Sequence, residues 1–326
     1  MRDIQRRTFV VAASAAAASP LAWAQGAYPA AKPIRYIVPV AAGGGADMIA
    51  RNTCERLAKV LGQAITVENI AGGSGVIASQ TTARAAPDGY TLIQAYVATH
   101  GTAPATRKLP FDALKDFTPI GMIGTAPNVL CVNPGVPVQD LKSFVAYVRA
   151  RPGKLAYGSA GAGTLTHLVG ELFKLQTSTF MTHIPYRGAA PAIVDLIAGQ
   201  TQASFPSLAG ASPHIRNGRI RPLAVTGPKR HPLFPEVPTF AELGLPGFDG
   251  EQWYGIMGPA GLPAPVTKTL VDALGAVLAQ PDFQEKLSAE AVALRPMTPE
   301  VFAAYIKADI ERWTKVARER KLDLES

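Results

Sequence analysis

Residues 39–51 read PVAAGGGADMIAR, a glycine-rich turn between an apolar run and an amphipathic segment. Ile34 to Val38 is short, apolar and rich in β-branched residues, which predicts a buried strand. Asp47 to Leu61 carries apolar residues at helical spacing and ends at Gly62, which predicts a helix. The first turn of a helix has N–H groups without intrahelical partners, and glycine lets a ligand approach them closely. The stretch therefore predicts an α/β unit with an anion site at its turn.

Three further turns of this kind follow along the chain. They read ENIAGGSGVIAS (Glu68 to Ser79), YGSAGAGTLTHL (Tyr157 to Leu168) and PYRGAAPAIVDL (Pro185 to Leu196). Strand and helix patterns alternate around them almost throughout the chain. This alternation predicts an α/β fold with mostly parallel sheets flanked by helices.

Two segments rich in proline and glycine, Gly121 to Pro137 and Pro232 to Pro265, divide the chain. A chain that leaves a first domain at one segment and returns at the other forms a two-strand hinge. We predict lobe 1 from residues 25–125 and 250–326 and lobe 2 from residues 126–249. Ligands of such folds bind between the lobes.

The first 24 residues have the three parts of a signal peptide. Arginines up to Arg7 form a basic region, Phe9 to Ala18 is apolar, and Ala22-Trp23-Ala24 is a small-x-small cleavage site. We expect export to a bacterial periplasm with cleavage after Ala24. The adjacent Arg6 and Arg7 also resemble a twin-arginine signal, but such pairs are common in ordinary signal peptides, so the Sec route is favoured.

The composition suits an anionic ligand or an anionic surface. The 326 residues carry a net charge of +8, and removal of residues 1–24, with three arginines and one aspartate, leaves 302 residues at +6. The basic residues form no stripe interleaved with aromatics, so no nucleic acid partner is expected. The two cysteines, Cys54 and Cys131, lie in a helix pattern and a strand pattern and are expected to be small buried hydrophobes, with a disulfide as the alternative.

Motifs for catalysis and cofactors are incomplete. No G-x-S-x-G motif occurs, and Gly158 to Thr164 resembles a phosphate loop without its lysine. Gly73 to Ala78 fits G-x-G-x-x-A, but export argues against a free dinucleotide. None of the five histidines pairs with another at i,i+4 and there is no CxxC, so neither a metal nor a cofactor is expected. His167 is either a core histidine or a polar group of the pocket.

In this order, the segments resemble the substrate-binding proteins of tripartite tricarboxylate transporters, often called Bug receptors. The resemblance covers the mature chain and rests on the four turns with APDGYTL, LPFDALKDFTPI, RPLAVTGPKRHPLFPEVPTFAELGLPGF and WYGIMGPAGLP. It implies a two-lobed periplasmic binding protein fold of type II, the Venus flytrap, and no enzymatic activity. It also implies a monomer that carries a small carboxylate to a two-component integral membrane permease.

The resemblance also implies the ligand-binding residues. In the first lobe they are Val40, Ala42, Gly43, Gly44, Gly72, Gly73 and Ser74. In the second lobe they are Ser159, Ala160, Gly161, Thr164, His167, Gly188, Ala189 and Phe205. We expect the turn N–H groups and the hydroxyls of Ser74, Ser159 and Thr164 to bind carboxylate oxygens.

Two positions depart from the usual family pattern and suggest the ligand. Val40 stands where an aromatic residue is common, and Ser204-Phe205-Pro206 stands where many members have an acidic residue. The missing acid argues against amino acids, and a phenyl ring at position 205 offers a stacking face. The hypothesis is a dicarboxylate or an aromatic carboxylate such as terephthalate. Side-chain drift without a change of ligand is the alternative.

Two other functions stay open at this point. An exported esterase or amidase would need Ser159 or Ser74 as nucleophile with His167 or His100 as base. A ligand sensor for a signalling system would use the same receptor architecture.

Overall fold

The computed structural model describes residues 28–248 and 250–319. The predicted signal peptide and its cleavage site lie outside the described residues. Two sheets organise the fold, and each forms the centre of one lobe. The two-lobed α/β architecture predicted from the sequence is confirmed by this arrangement and by the solved relatives reported below.

The first sheet has six strands in the order β11–β4–β10–β3–β1–β2. They are β1 (Ile34–Val38), β2 (Ile65–Asn69), β3 (Thr91–Tyr96), β4 (Phe117–Pro127), β10 (Glu251–Pro259) and β11 (Ala293–Met297). The second sheet has five strands in the order β7–β6–β8–β5–β9. They are β5 (Val129–Val132), β6 (Ala156–Ser159), β7 (Thr182–Pro185), β8 (Ala203–Ser204) and β9 (Arg221–Val225).

Helices connect the strands. They are α1 (Gly45–Leu61), α2 (Val76–Ala83), α3 (Ala103–Thr106), α4 (Leu141–Arg149), α5 (Leu165–Thr177), α6 (Ala189–Ile197), α7 (Leu208–Arg216), α8 (Ala264–Leu278), α9 (Pro281–Ala289) and α10 (Pro299–Glu319). Local sequence explains their ends. Gly62 adopts the left-handed conformation that ends α1, and Asp140 and Ser143 form a reciprocal capping box at the start of α4.

The prediction of mostly parallel sheets is wrong. Strand β1 runs parallel to β2 and β3, but β10 is antiparallel to β3 and β4, and β11 is antiparallel to β4. In the second sheet, β6 is parallel to β7 and β8, whereas β5 is antiparallel to β8 and β9. After each hinge crossing the chain enters a sheet through β5 or β10. Both strands run antiparallel to their neighbours, so both sheets are mixed.

The chain passes between the sheets twice, from β4 to β5 at residue 128 and from β9 to β10. The sheet membership supports the predicted lobes, 25–125 with 250–326 and 126–249, whose boundaries we retain as a proposal.

Strand β4 was not predicted because Pro119, Gly121 and Gly124 resemble turn residues. The structure gives these glycines another role. A Cβ at Gly124 would lie 2.5 Å from the carbonyl oxygen of Ala293, and one at Gly121 would lie 3.0 Å from Leu274 Cδ2. Both glycines therefore allow close packing in the middle of a sheet.

Each lobe has an aromatic core. In the first lobe, the ring of Trp253 packs edge-on against Phe302, with centroids 5.5 Å apart. In the second lobe, Phe205 and Phe144 pack around Phe173. Cys54 and Cys131 are buried free thiols, as predicted, and burial raises the pKa of both.

Candidate functional site

A cavity of about 30 Å³ lies between the lobes, which is room for roughly two water molecules. The first lobe contributes Val40, Gly44, Gly45, Ala46, Tyr96, Gln252 and Tyr254, and the second contributes Ala160, Thr166, Ala189 and Ser207. Four of the predicted ligand-binding residues line this cavity: Val40, Gly44, Ala160 and Ala189. The other lining residues were not predicted.

The first glycine turn presents the start of α1 to this cavity. Gly44 precedes the helix in extended conformation and provides no side-chain cap, so Gly44, Gly45 and Ala46 line the cavity with backbone. The positive end of the helix dipole therefore points at the cavity. Ala42 and Gly43, predicted to bind ligand, are exposed and do not line the cavity.

The carboxylate of Asp47 in the same turn is hydrogen-bonded to other groups of the protein. It accepts hydrogen bonds from Gly43 N at 2.9 Å, Arg51 Nε at 3.0 Å and Asn69 Nδ2 at 2.9 Å. Burial opposes ionisation, but the bonds from Arg51, Gly43 and Asn69 outweigh it and lower the pKa of Asp47. The carboxylate stabilises the turn and takes no part in lining the cavity.

The second turn reaches across the cleft. Ser74 has a φ of 55°, unusual for a residue other than glycine, and its hydroxyl donates to the carbonyl oxygen of Ala162 at 2.7 Å. Arg107 Nη2 donates to the same carbonyl. Gly72, Gly73 and Ser74 thus lie outside the cavity lining, and the Ser74 hydroxyl joins the lobes in place of the predicted ligand contact.

The third turn is held by its own hydroxyls. Ser159 Oγ lies 2.6 Å from His183 Nε2 and accepts from Gly161 N at 3.1 Å. Thr164 Oγ1 donates to the Gly161 carbonyl at 2.7 Å. Ser159, Gly161 and Thr164 therefore shape the turn, whereas Ala160 and the unpredicted Thr166 line the cavity.

Two stacked histidines lie against this turn. His167 Nδ1 accepts from Gly163 N at 3.0 Å, and the rings of His167 and His183 are 4.0 Å apart at an angle of 13°. His167 is thus a buried support of the turn rather than a lining residue. Sequence reasoning missed His183 because its contact with Ser159 depends on the pairing of β7 with β6.

Acid is expected to destabilise the second lobe through His183. Burial, then the neighbouring His167, lower the pKa of His183 to about 4; Glu171 opposes this shift and Lys174 adds a smaller lowering effect. An unfolded histidine titrates near 6.5. As the pH falls from about 6.5 to 4, the unfolded chain takes up a proton that the folded lobe does not, so stability is lost.

Thermal melts between pH 7.5 and 4.5 test this expectation. The wild type should melt a few degrees lower at pH 5 than at pH 7, and His183→Gln should show a smaller decrease, since roughly 1 kcal/mol shifts a domain of this size by ~2–4 °C. Part of the decrease should persist, because burial lowers the pKa of His100 to about 3. His214→Gln, at a less buried histidine, is the control. Equal pH slopes in wild type and His183→Gln would contradict the prediction.

The fourth turn packs against the first. Ala41 N donates to the Arg187 carbonyl at 3.1 Å, and Ala189 lines the cavity. Gly188 has a φ of 127°, and a Cβ there would lie 3.1 Å from Ala41 N. Glycine is therefore required both for the conformation and for the contact between lobes.

Phe205 does not face the cavity. It is 0% exposed, and its ring lies 5.9 Å from Tyr157 and 5.7 Å from Phe173, inside the core of the second lobe. The short strand β8 turns this side chain inward. The stacking face expected from the sequence is thus not available to a ligand, and Ser207, two residues later, lines the cavity instead.

The sequence profile described as "Tripartite tricarboxylate transporter family receptor" matches residues 49–322. The chain belongs to this family. It is 36% identical over 298 residues to Protein BugT of Bordetella pertussis, with 90% of each chain covered.

Solved structures agree with the family assignment. A periplasmic transporter has a TM-score of 0.89 at 40% identity, covering 92% of this chain and 100% of that one. An R. palustris protein solved with adipate has a TM-score of 0.87 at 34% identity, with 90% and 98% covered. The chain is thus a solute-binding receptor of the periplasm and not an enzyme, which removes the esterase alternative.

Within residues 28–248 and 250–319, no group of three or more His, Cys, Asp or Glu side chains could hold a metal ion. No helix in this part of the chain combines the length and the apolar character needed to cross a membrane.

Proposed function

We propose that this receptor closes on a small aliphatic dicarboxylate and delivers it to a two-component integral membrane permease. The observation that carries the proposal is the start of α1, which opens on a cavity whose lining includes no acidic side chain. Unbonded N–H groups at a helix start attract carboxylates. The hydroxyls of Thr166 and Ser207 also line the cavity, but both are hydrogen-bonded within the protein.

The contacts between lobes support closure around the ligand. Ser74 and Arg107 donate to the Ala162 carbonyl, and Ala41 donates to the Arg187 carbonyl. A ligand that touches both lobes adds to these bonds and shifts the population towards the closed form. Closure also excludes water, which strengthens each bond to the carboxylate.

An aliphatic ligand needs less separation of the lobes than an aromatic one. The cavity of about 30 Å³ is narrow, and Phe205 is in the core. Any diacid requires the lobes to stand further apart than in this structure, and a rigid ring-bearing diacid such as terephthalate requires the larger separation. The adipate bound by the R. palustris relative supports a dicarboxylate.

A thermal-shift screen followed by calorimetry tests the ligand class. Succinate, malate or adipate should raise the melting temperature, with roughly 2.7 kcal/mol of added stability at a hundredfold excess over Kd. Acetate, aspartate, citrate and terephthalate are the comparison ligands. A larger shift with terephthalate or aspartate than with every aliphatic diacid would overturn the proposal. Deletion of the gene should abolish uptake of the same diacid. Loss of induction with intact uptake would favour the sensor role.

A further inference from the structure

The hydroxyl of Tyr96 is buried at the cavity without a partner. Tyr96 ends β3, lines the cavity and is 5% exposed. Its hydroxyl oxygen makes no hydrogen bond to any residue of the described chain. A buried polar atom without a partner costs about 1–3 kcal/mol, and a hydrogen bond to a ligand would recover this cost.

Tyr96 and two neighbouring residues form one wall of the cavity. Tyr96 pairs with Tyr254 across the antiparallel strands β3 and β10. Gln252 lies two residues before Tyr254 and therefore on the same face of β10. All three side chains line the cavity, and Tyr254 has a hydrogen bond with Ser207. Of these two tyrosines, Tyr96 is therefore the one whose hydroxyl has no hydrogen-bond partner among the described residues.

The start of α1 also favours negative charge at this cavity. This helix has 17 residues, and its first residues Gly45 and Ala46 line the same cavity as Tyr96. The helix dipole and the tyrosine hydroxyl both favour an acceptor of negative charge at this point. Burial raises the pKa of Tyr96, so its hydroxyl keeps its proton and acts as a donor at every physiological pH.

We propose that Tyr96 is a specificity-determining residue whose hydroxyl donates to the ligand carboxylate held at the start of α1. The inference rests on the proposed function and adds a side-chain donor to the backbone N–H groups of α1. The pair selects an ionised carboxylate, which accepts from both groups. An ammonium or an amide nitrogen would place a donor against the N–H groups at the start of α1, which cannot accept, and the helix dipole also disfavours a cation there.

Tyr96→Phe tests the inference because it removes the hydroxyl alone. The probe is whichever of succinate, malate and adipate binds the wild type most tightly by calorimetry. Its Kd should rise at least about tenfold, since a bond to a charged group is lost. The melting temperature without ligand should stay equal or rise, because the removed hydroxyl has no protein partner.

Tyr36→Phe is the matched control. Tyr36 is a fully buried tyrosine of the same sheet, and its hydroxyl donates to Gln94 Oε1 away from the cavity lining. Its removal should lower the melting temperature and leave the Kd unchanged. The two variants therefore separate binding from stability.

The outcomes distinguish this inference from the proposed function. If the wild type binds none of the three diacids, the proposed function fails and the role of Tyr96 fails with it. If the wild type binds but Tyr96→Phe retains its affinity, only the role of Tyr96 is refuted. A lowered melting temperature without ligand in Tyr96→Phe, like that of Tyr36→Phe, would show a structural role and also overturn the inference.

Discussion

Gly45→Val is expected to weaken diacid binding by about 100-fold or more while both lobes stay folded. Gly45 is the first residue of α1, and a Cβ there would lie 2.9 Å from Ser207 Oγ and 3.0 Å from Gly210 N. Ser207 can rotate, but Gly210 N is backbone within α7. The added methyl groups would therefore hold the lobes apart.

The expected defect is in closure and not in folding. Gly45 has an ordinary negative φ, so valine can adopt its conformation. Without closure the ligand contacts one lobe and loses the population shift that tight binding requires. Calorimetry should show the loss of affinity, and small-angle scattering with saturating ligand should show a more extended particle than the wild type.

Gly275→Val is the control for the same change elsewhere. Gly275 lies near the end of α8, and a Cβ there meets nothing within 4 Å. This variant should bind like the wild type. A Gly45→Val protein with affinity within threefold of the wild type would show that α1 and α7 need not approach for binding.

Trp253→Ala is expected to lower the free energy of unfolding by about 3–5 kcal/mol. Trp253 is 0% exposed on β10 and packs edge-on against Phe302 and Tyr305. Its indole N–H also donates to Asp309 Oδ2 at 2.8 Å. Truncation leaves a cavity and removes a donor from a buried carboxylate, whose pKa burial already raises.

Urea unfolding followed by circular dichroism measures this loss. Phe180→Ala is the control, because it removes an aromatic ring at a site that is 58% exposed. It should change the free energy of unfolding by no more than about 0.5 kcal/mol. A loss below about 1 kcal/mol in Trp253→Ala would mean that the surrounding side chains collapse into the space. Because Gln252 and Tyr254 flank Trp253, weaker ligand binding should accompany the destabilisation.

Much of the fold was predictable because its signals are local. The spacing of apolar residues from Asp47 to Leu61 predicts α1, and a glycine turn before a helix predicts free N–H groups. These features depend on residues within one or two turns of each other. Val40, Gly44, Ala160 and Ala189, which line the cavity, all lie in such turns.

The remaining site residues depend on contacts that sequence spacing does not encode. Tyr96 and Tyr254 meet because β10 returns to the first sheet after the whole second lobe. The contact of Ser159 with His183 requires a particular strand register, and Phe205 faces the core because β8 turns it inward. For the same reason the sequence did not reveal that the hydroxyls of Ser74 and Thr164 bond to protein carbonyls in this structure.

The amino-acid sequence by itself determined the α/β class, the glycine turns and the receptor family, because each follows from local patterns in a recognisable order. The tertiary structure decided which of those turns line the cavity and which join the lobes. It alone brought Tyr96 and Gln252 to the start of α1. The physical reason is that side-chain direction in a sheet depends on register and strand order, which are set by packing between segments far apart in the chain.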